Sequence, residues 1–183
     1  MTEQEIHAAH VDGVIPLDGQ VLIVDYDPAW VDAFEREARR IRMLLAERAM
    51  RIEHVGSTAV PGLPAKPIVD MLLVVNDSSD EPPYVPALEA AGYRLRVREP
   101  DWYAHRMFKG TDTDINLHTF SAGCREIDRM LGFRDWLRAN PSDRDLYARI
   151  KLDLARRQWR YVQSYADAKD AVIGDIMTRA GFQ

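Results

Sequence analysis

Gly56-Ser57, Lys66 and Asp70 lie in one stretch, IEHVGSTAVPGLPAKPIVDMLLVV from Ile52 to Val75, and their types suit an anion site. A Gly-Ser turn after a short apolar segment presents backbone N–H groups and a hydroxyl with no large side chain in the way, which suits phosphate oxygens. Lys66 adds a point charge. Pro61, Pro64 and Pro67 push the residues before them toward extended backbone, so the loop should hold one shape. The pattern is neither a Walker P-loop nor a dinucleotide fingerprint, and a Gly-Ser turn also serves as a plain connection. Asp70 interrupts the apolar run Ile68 to Val75, where a carboxylate is costly unless it reaches a cation, a donor or a wet cleft. A ligand or metal role and a structural ion pair both stay open on these residues alone.

A second polar group lies further on. Asp114 to His118 alternates, with Ile115 and Leu117 on one face and Asp114, Asn116 and His118 on the other. His118 shares its face with two polar residues, which favours a site role over an edge-of-core histidine. His54 reads as a positioner of the Gly-Ser turn. Arg134 and Asp135 read as an internal ion pair fixing helix to sheet. His7 and His10, in an acidic leader containing glycine, are set aside as ligands.

The surrounding elements follow from periodicity. Val21 to Val24 reads as a strand, stopped by Asp25-Tyr26-Asp27-Pro28, with Asp27 as N-cap and Pro28 at the first helical position. Trp30 to Ala49 reads as an amphipathic helix whose mixed Glu and Arg make a solvated face. Strands are expected over 51–55, 68–75, 93–98, 103–109 and 113–120, with a turn at Gly110-Thr111-Asp112. Helices are expected over 86–91, 126–139, 141–161 and 165–180.

At 183 residues the chain suits one domain, 21–183, preceded by an N-terminal arm, 1–20. A net charge of −5 argues against a nucleic-acid polymer or an anionic membrane as partner, while leaving room for a local basic patch. A single cysteine, Cys124, excludes an internal disulfide framework and fits a reducing cytoplasm. The N-terminus shows no secretory pattern and no apolar run reaches membrane-spanning length, so a cytoplasmic protein is expected.

HVGSTAVPGLPAKPIVDMLLVV resembles the signature of the GrpB family, within the nucleotidyltransferase superfamily of the DNA polymerase beta type. The likeness extends to VDYDPAW from Val24, to Asn116-Leu117-His118, to FRDWLRANP from Phe133, and to Tyr147, Lys151, Tyr165 and Lys169 in the closing helices. The resemblance implies an α+β fold, a mixed sheet with helices packed on it and a C-terminal helical segment. It implies a Gly-Ser pair near nucleotide phosphates and strand carboxylates that hold divalent metal. Carried onto this chain, Gly56, Ser57 and Lys66 bind phosphate, Asp70 and His118 are catalytic, and Asp70, Asn116 and His118, with Glu53 as a further donor, hold the metal. The metal would be magnesium or manganese, with zinc a further option. The implied partners are a nucleotide and a small-molecule acceptor. The sequence departs from the superfamily at Leu72, where a second acid would follow Asp70. Metal-dependent nucleotidyl transfer and nucleotide or phosphometabolite binding without transfer are therefore both carried forward.

Overall fold

The computed structural model describes residues 1–110 and 112–182. Thr111, in the expected Gly110-Thr111-Asp112 turn, lies outside the described residues. Five strands, β1 (Arg51–Val55), β2 (Val69–Val75), β3 (Arg94–Glu99), β4 (His105–Lys109) and β5 (Ile115–Ser121), form one sheet in the order β1-β2-β5-β4-β3. Only β2 and β5 run parallel; every other neighbouring pair is antiparallel, so the sheet is mixed as expected.

Strand alternation divides the sheet into two faces. Val69, Met71, Leu73 and Val75 of β2, with Ile115 and Leu117 of β5, pack against helix α2 (Ala29–Leu45) and helix α3 (Val85–Ala90). Asp70, Leu72 and Val74 lie on the other face, as do Asn116, His118 and Phe120. Leu72, Val74 and Phe120 are covered by Ile127 and Leu131 of helix α4 (Arg125–Ala139). The same face is uncovered at Asp70, Asn116 and His118, so the cleft begins where α4 ends its cover.

The remaining helices are α5 (Pro141–Ala155), α6 (Val162–Asp167) and α7 (Asp170–Arg179). Helix α5 stops before Tyr161 because the indole of Trp159 donates to the Leu154 carbonyl at 2.8 Å and the Trp159 backbone pairs with Gly19. The expected last helix is two, broken at Ala168 and Lys169, which places the Lys169 side chain at the break. Val21 to Val24 is not a strand, because only Val24 finds a backbone partner, exchanging two hydrogen bonds with Ala65. That pair ties the loop before Lys66 to the entry of α2. Asp27 does cap, its carboxylate accepting from the Ala29 N–H at 2.9 Å.

The N-terminal segment is a docked helix, α1 (Glu3–Ala9), opened by a capping box between Thr2 and Glu5. Ile6 is fully buried, and Val11 donates its N–H to the Arg96 carbonyl of β3. Among the described residues no helix is long and apolar enough to cross a membrane.

Candidate functional site

β1 delivers the chain into Gly56 at φ +69°, a left-handed backbone that glycine adopts without strain. A Cβ there would lie 2.5 Å from Asp70 Oδ2, so the glycine also permits the carboxylate to approach the turn. Beyond it, Ser57–Ala59 forms one tight helical turn. His54 Nε2 lies 3.0 Å from Thr58 Oγ1, and its ring stacks on Phe34 with centroids 4.9 Å apart. Burial pushes His54 down to about 4, so it is neutral and braces the turn from below. Arg134 of α4 donates to the His54 carbonyl and to Glu53, each at 2.9 Å, and pairs with Asp135. Helix and strand are thereby clamped, and Glu53 is committed to Arg134 and Arg51, leaving it unfit as a metal ligand.

Asp70 and Asn116 are register partners across parallel β2 and β5. The Asn116 amide donates to Asp70 Oδ1 at 2.7 Å, and His118 Nε2 lies 3.7 Å from the same oxygen. Burial pushes the Asp70 carboxyl up, but the His118 imidazole, Lys66 and the Asn116 amide outweigh it and hold the group at about 2. Asp70 is therefore an anion. Asp114 does not join it: its carboxylate pairs with Lys109 at an exposed position, 2.9 Å away.

Among the described residues four lysines line the same cleft, of which Lys109 is paired with Asp114 and the other three are not ion-paired. Lys66, from the proline-rich loop, sits 6.0 Å from the centre of the Tyr165 ring, and Lys169, from the break before α7, sits 4.6 Å from it. Lys151 of α5 donates to Ser57 Oγ at 2.8 Å and to the Pro64 carbonyl at 2.5 Å. Burial lowers all three: Lys169 to about 8, with Lys66 adding repulsion, and Lys151 well below its ordinary value. Among the described residues none of them has a carboxylate within ion-pair distance, although Asp70 attracts all three from further away. The cleft has a volume of about 490 Å³, with Gly56, Ser57, Asp70 and His118 on the sheet side and Lys66, Lys151 and Lys169 opposite.

A family model described as "GrpB protein" matches residues 20–179 of this chain. The chain belongs to the GrpB family. It is 59% identical over 179 residues to a UPF0157 protein of Halalkalibacterium halodurans, covering 98% of this chain and 92% of that one. The crystal structure of the conserved protein GrpB from Enterococcus faecalis superposes with a TM-score of 0.73 at 32% identity, covering 87% of this chain and 96% of that one. The structure of Cid1 in complex with its short product ApU gives a TM-score of 0.51 at 12% identity over 70% of this chain and 42% of that one. That likeness extends to the fold alone, which is nucleotidyltransferase-like.

The cleft thus brings together Gly56, Ser57, Lys66, Asp70, Asn116 and His118, while Glu53 and Asp114, also considered from the sequence, stay outside it. Its donor set bears on metal. Among the described residues no group of three or more His, Cys, Asp or Glu side chains converges, so a zinc centre built from protein ligands does not fit. Asn116 turns its NH2 toward Asp70, where it orients the carboxylate. Asp70 fits magnesium or manganese, which commonly take one or two carboxylates and complete their shell with water and phosphate oxygens.

Lys151 and Lys169 are the residues that spacing missed. They lie far along the chain from Ser57, on helical segments where a lysine reads as solvated surface. The one available signal was their place in the closing-helix part of the GrpB resemblance.

Proposed function

We propose that this cleft binds the polyphosphate of a nucleotide and transfers its nucleoside monophosphate to a hydroxyl of a small acceptor. The observation that carries the reading is that Lys66, Lys151 and Lys169 line one cleft with Ser57, Lys151 bonded to its hydroxyl and the other two beside the Tyr165 ring, with no ion-paired carboxylate of their own. Lys151 is buried and Lys66 and Lys169 are half-buried; ammonium groups so placed without counter-ions are costly, and a bound polyanion would supply the missing charge. In this reading the Gly56-Ser57 turn and Lys151 hold phosphate oxygens, while Lys66 and Lys169 neutralise the rest. Asp70, oriented by Asn116, would hold a divalent cation, which when bound supplies charge stabilisation to the phosphates. His118 stands beside Asp70 as proton acceptor. The acceptor oxygen bonds to the α-phosphorus as the bond from that phosphorus to the pyrophosphate oxygen breaks. The hydroxyl proton passes to His118 Nε2, and the electron pair leaves with pyrophosphate.

One observation favours a second reading, nucleotide binding without transfer. Leu72 occupies the place of a second strand carboxylate and is fully buried under α4. Pyrophosphate release separates the two. The wild-type chain, supplied with the four nucleoside triphosphates, Mn²⁺ and a panel of small hydroxyl acceptors, should release pyrophosphate, and Asp70→Asn should not. Nucleotide binding with no release across the panel would assign the chain to the second reading.

A further inference from the structure

Behind His118 runs a hydrogen-bonded chain that the site's immediate chemistry does not use. Glu99, at the end of β3, places Oε2 2.7 Å from His105 Nδ1, and His105 Nε2 lies 3.1 Å from His118 Nδ1. The two imidazoles are close to coplanar, 17° apart, with centroids separated by 5.2 Å. With a nitrogen pair at 3.1 Å between those centroids, the rings sit side by side, the arrangement an in-plane N–H···N bond requires. His105 is 5% exposed, with one face stacked on Phe120 at 4.8 Å and the edge of Trp102 at 5.3 Å.

The direction of this chain follows from donor and acceptor capacity. An ionised Glu99 only accepts, so His105 Nδ1 carries a proton and donates it. The aromatic enclosure of His105 disfavours a second proton, which leaves Nε2 as an acceptor. His118 Nδ1 must then be the donor in that bond, whether His118 is neutral or an imidazolium.

We infer that His105, held by Glu99, is a positioning residue that fixes a proton on His118 Nδ1 and directs His118 Nε2 into the cleft as its exchangeable nitrogen. This deepens the proposed transfer reading and rests on it for its purpose. In the neutral ring Nε2, 3.7 Å from Asp70 Oδ1 and so outside hydrogen-bond reach of it, offers its lone pair to an acceptor hydroxyl, and once protonated it faces the Asp70 anion that stabilises the imidazolium. The tautomer itself is independent of any nucleotide. Isolated imidazoles have no fixed choice of this kind; here the partner on β4 makes it.

Long-range ¹H–¹⁵N correlation spectra of the full chain labelled with ¹⁵N-histidine test the inference, with His118 signals assigned by their loss in His118→Gln. Neutral His118 should show a protonated Nδ1 and an unprotonated Nε2. In His105→Leu the constraint is gone, and the spectrum should shift toward protonated Nε2. Should that variant not fold, Glu99→Gln serves instead. Its amide can donate to His105 Nδ1, so the chain can reverse and His118 should show a mixture of tautomers. A wild-type His118 protonated on Nε2 in its neutral form would overturn the inference even if nucleotide binds. A folded His105→Leu with an unchanged His118 pattern would overturn it as well. The inferred tautomer in a chain that binds no nucleotide would uphold the positioning role and discard the transfer reading.

Discussion

The ammonium of Lys151 lies 2.8 Å from Ser57 Oγ, joining helix α5 to the turn that follows β1. Ser57 thereby has a nitrogen donor behind it, and a bound anion would favour the charged form of Lys151 and draw the Ser57 hydroxyl proton toward itself. Ser57→Ala should weaken nucleoside triphosphate binding by about 1 kcal/mol, the scale of one hydrogen bond. Lys151→Met should weaken it at least tenfold. Isothermal titration calorimetry on the folded variants gives both numbers, and equal affinity in wild type and Lys151→Met would contradict the assignment.

Lys169 separates a binding role from a stabilising one. A half-buried lysine without an ion-pair partner is a cost to the ligand-free fold, so Lys169→Met should raise its stability by about 1 kcal/mol, or roughly 2–4 °C in melting temperature. The same change should lower triphosphate affinity. A variant that is less stable and binds normally would show that the lysine serves packing through Tyr165.

The pH dependence follows from the same group. Burial, reinforced by Lys66, lowers Lys169 to about 8, below the 10.5 of an unfolded lysine. Between those values the unfolded chain holds a proton that the folded chain has released. The stability of the ligand-free protein should therefore rise with pH across that window. Polyphosphate binding favours the charged form, so affinity should fall as pH passes upward through 8, by up to about tenfold per pH unit. Denaturant unfolding and calorimetry between pH 7 and 10.5 check the two opposite slopes.

Gly56→Ala tests the junction of turn and carboxylate. Its φ of +69° disfavours alanine, and the new methyl would press on Asp70 Oδ2. A loss of about 2 kcal/mol or more in urea unfolding is expected, accompanied by loss of metal-dependent binding.

Leu72→Asp asks whether the missing carboxylate can be restored. Leu72 is fully buried among Val55, Phe120, Ile127 and Leu131, so the aspartate should destabilise the fold by about 3 kcal/mol or more. Enhanced divalent-metal binding in a stable Leu72→Asp protein would contradict the view that α4 has turned this position into core.

Much of this was readable from the chain. The β2 run, the alternation through Ile115 and Leu117, and the Gly-Ser turn each carry a local signal, and these fix one face of the site. Val21 to Val24 misled because β-propensity says nothing about whether a neighbouring strand exists, and only Val24 found one partner, Ala65. The end of α5 was hidden because it depends on Trp159 reaching back to Leu154. The opposite wall, Lys151 and Lys169, is assembled only when the last helices fold over the sheet, a non-local event that periodicity cannot register. The Glu99–His105–His118 chain has the same origin, since it joins β3, β4 and β5 through strand order.

The central claim is that the cleft between the Gly56-Ser57 turn and the three lysines holds a nucleotide polyphosphate. Calorimetric titration of the wild-type chain with non-hydrolysable analogues of the four nucleoside triphosphates, each with Mg²⁺ or Mn²⁺, tests it most directly. At least one analogue should bind at a single saturable site, with that binding lost in Lys151→Met. Absence of binding by all four with either ion would contradict it.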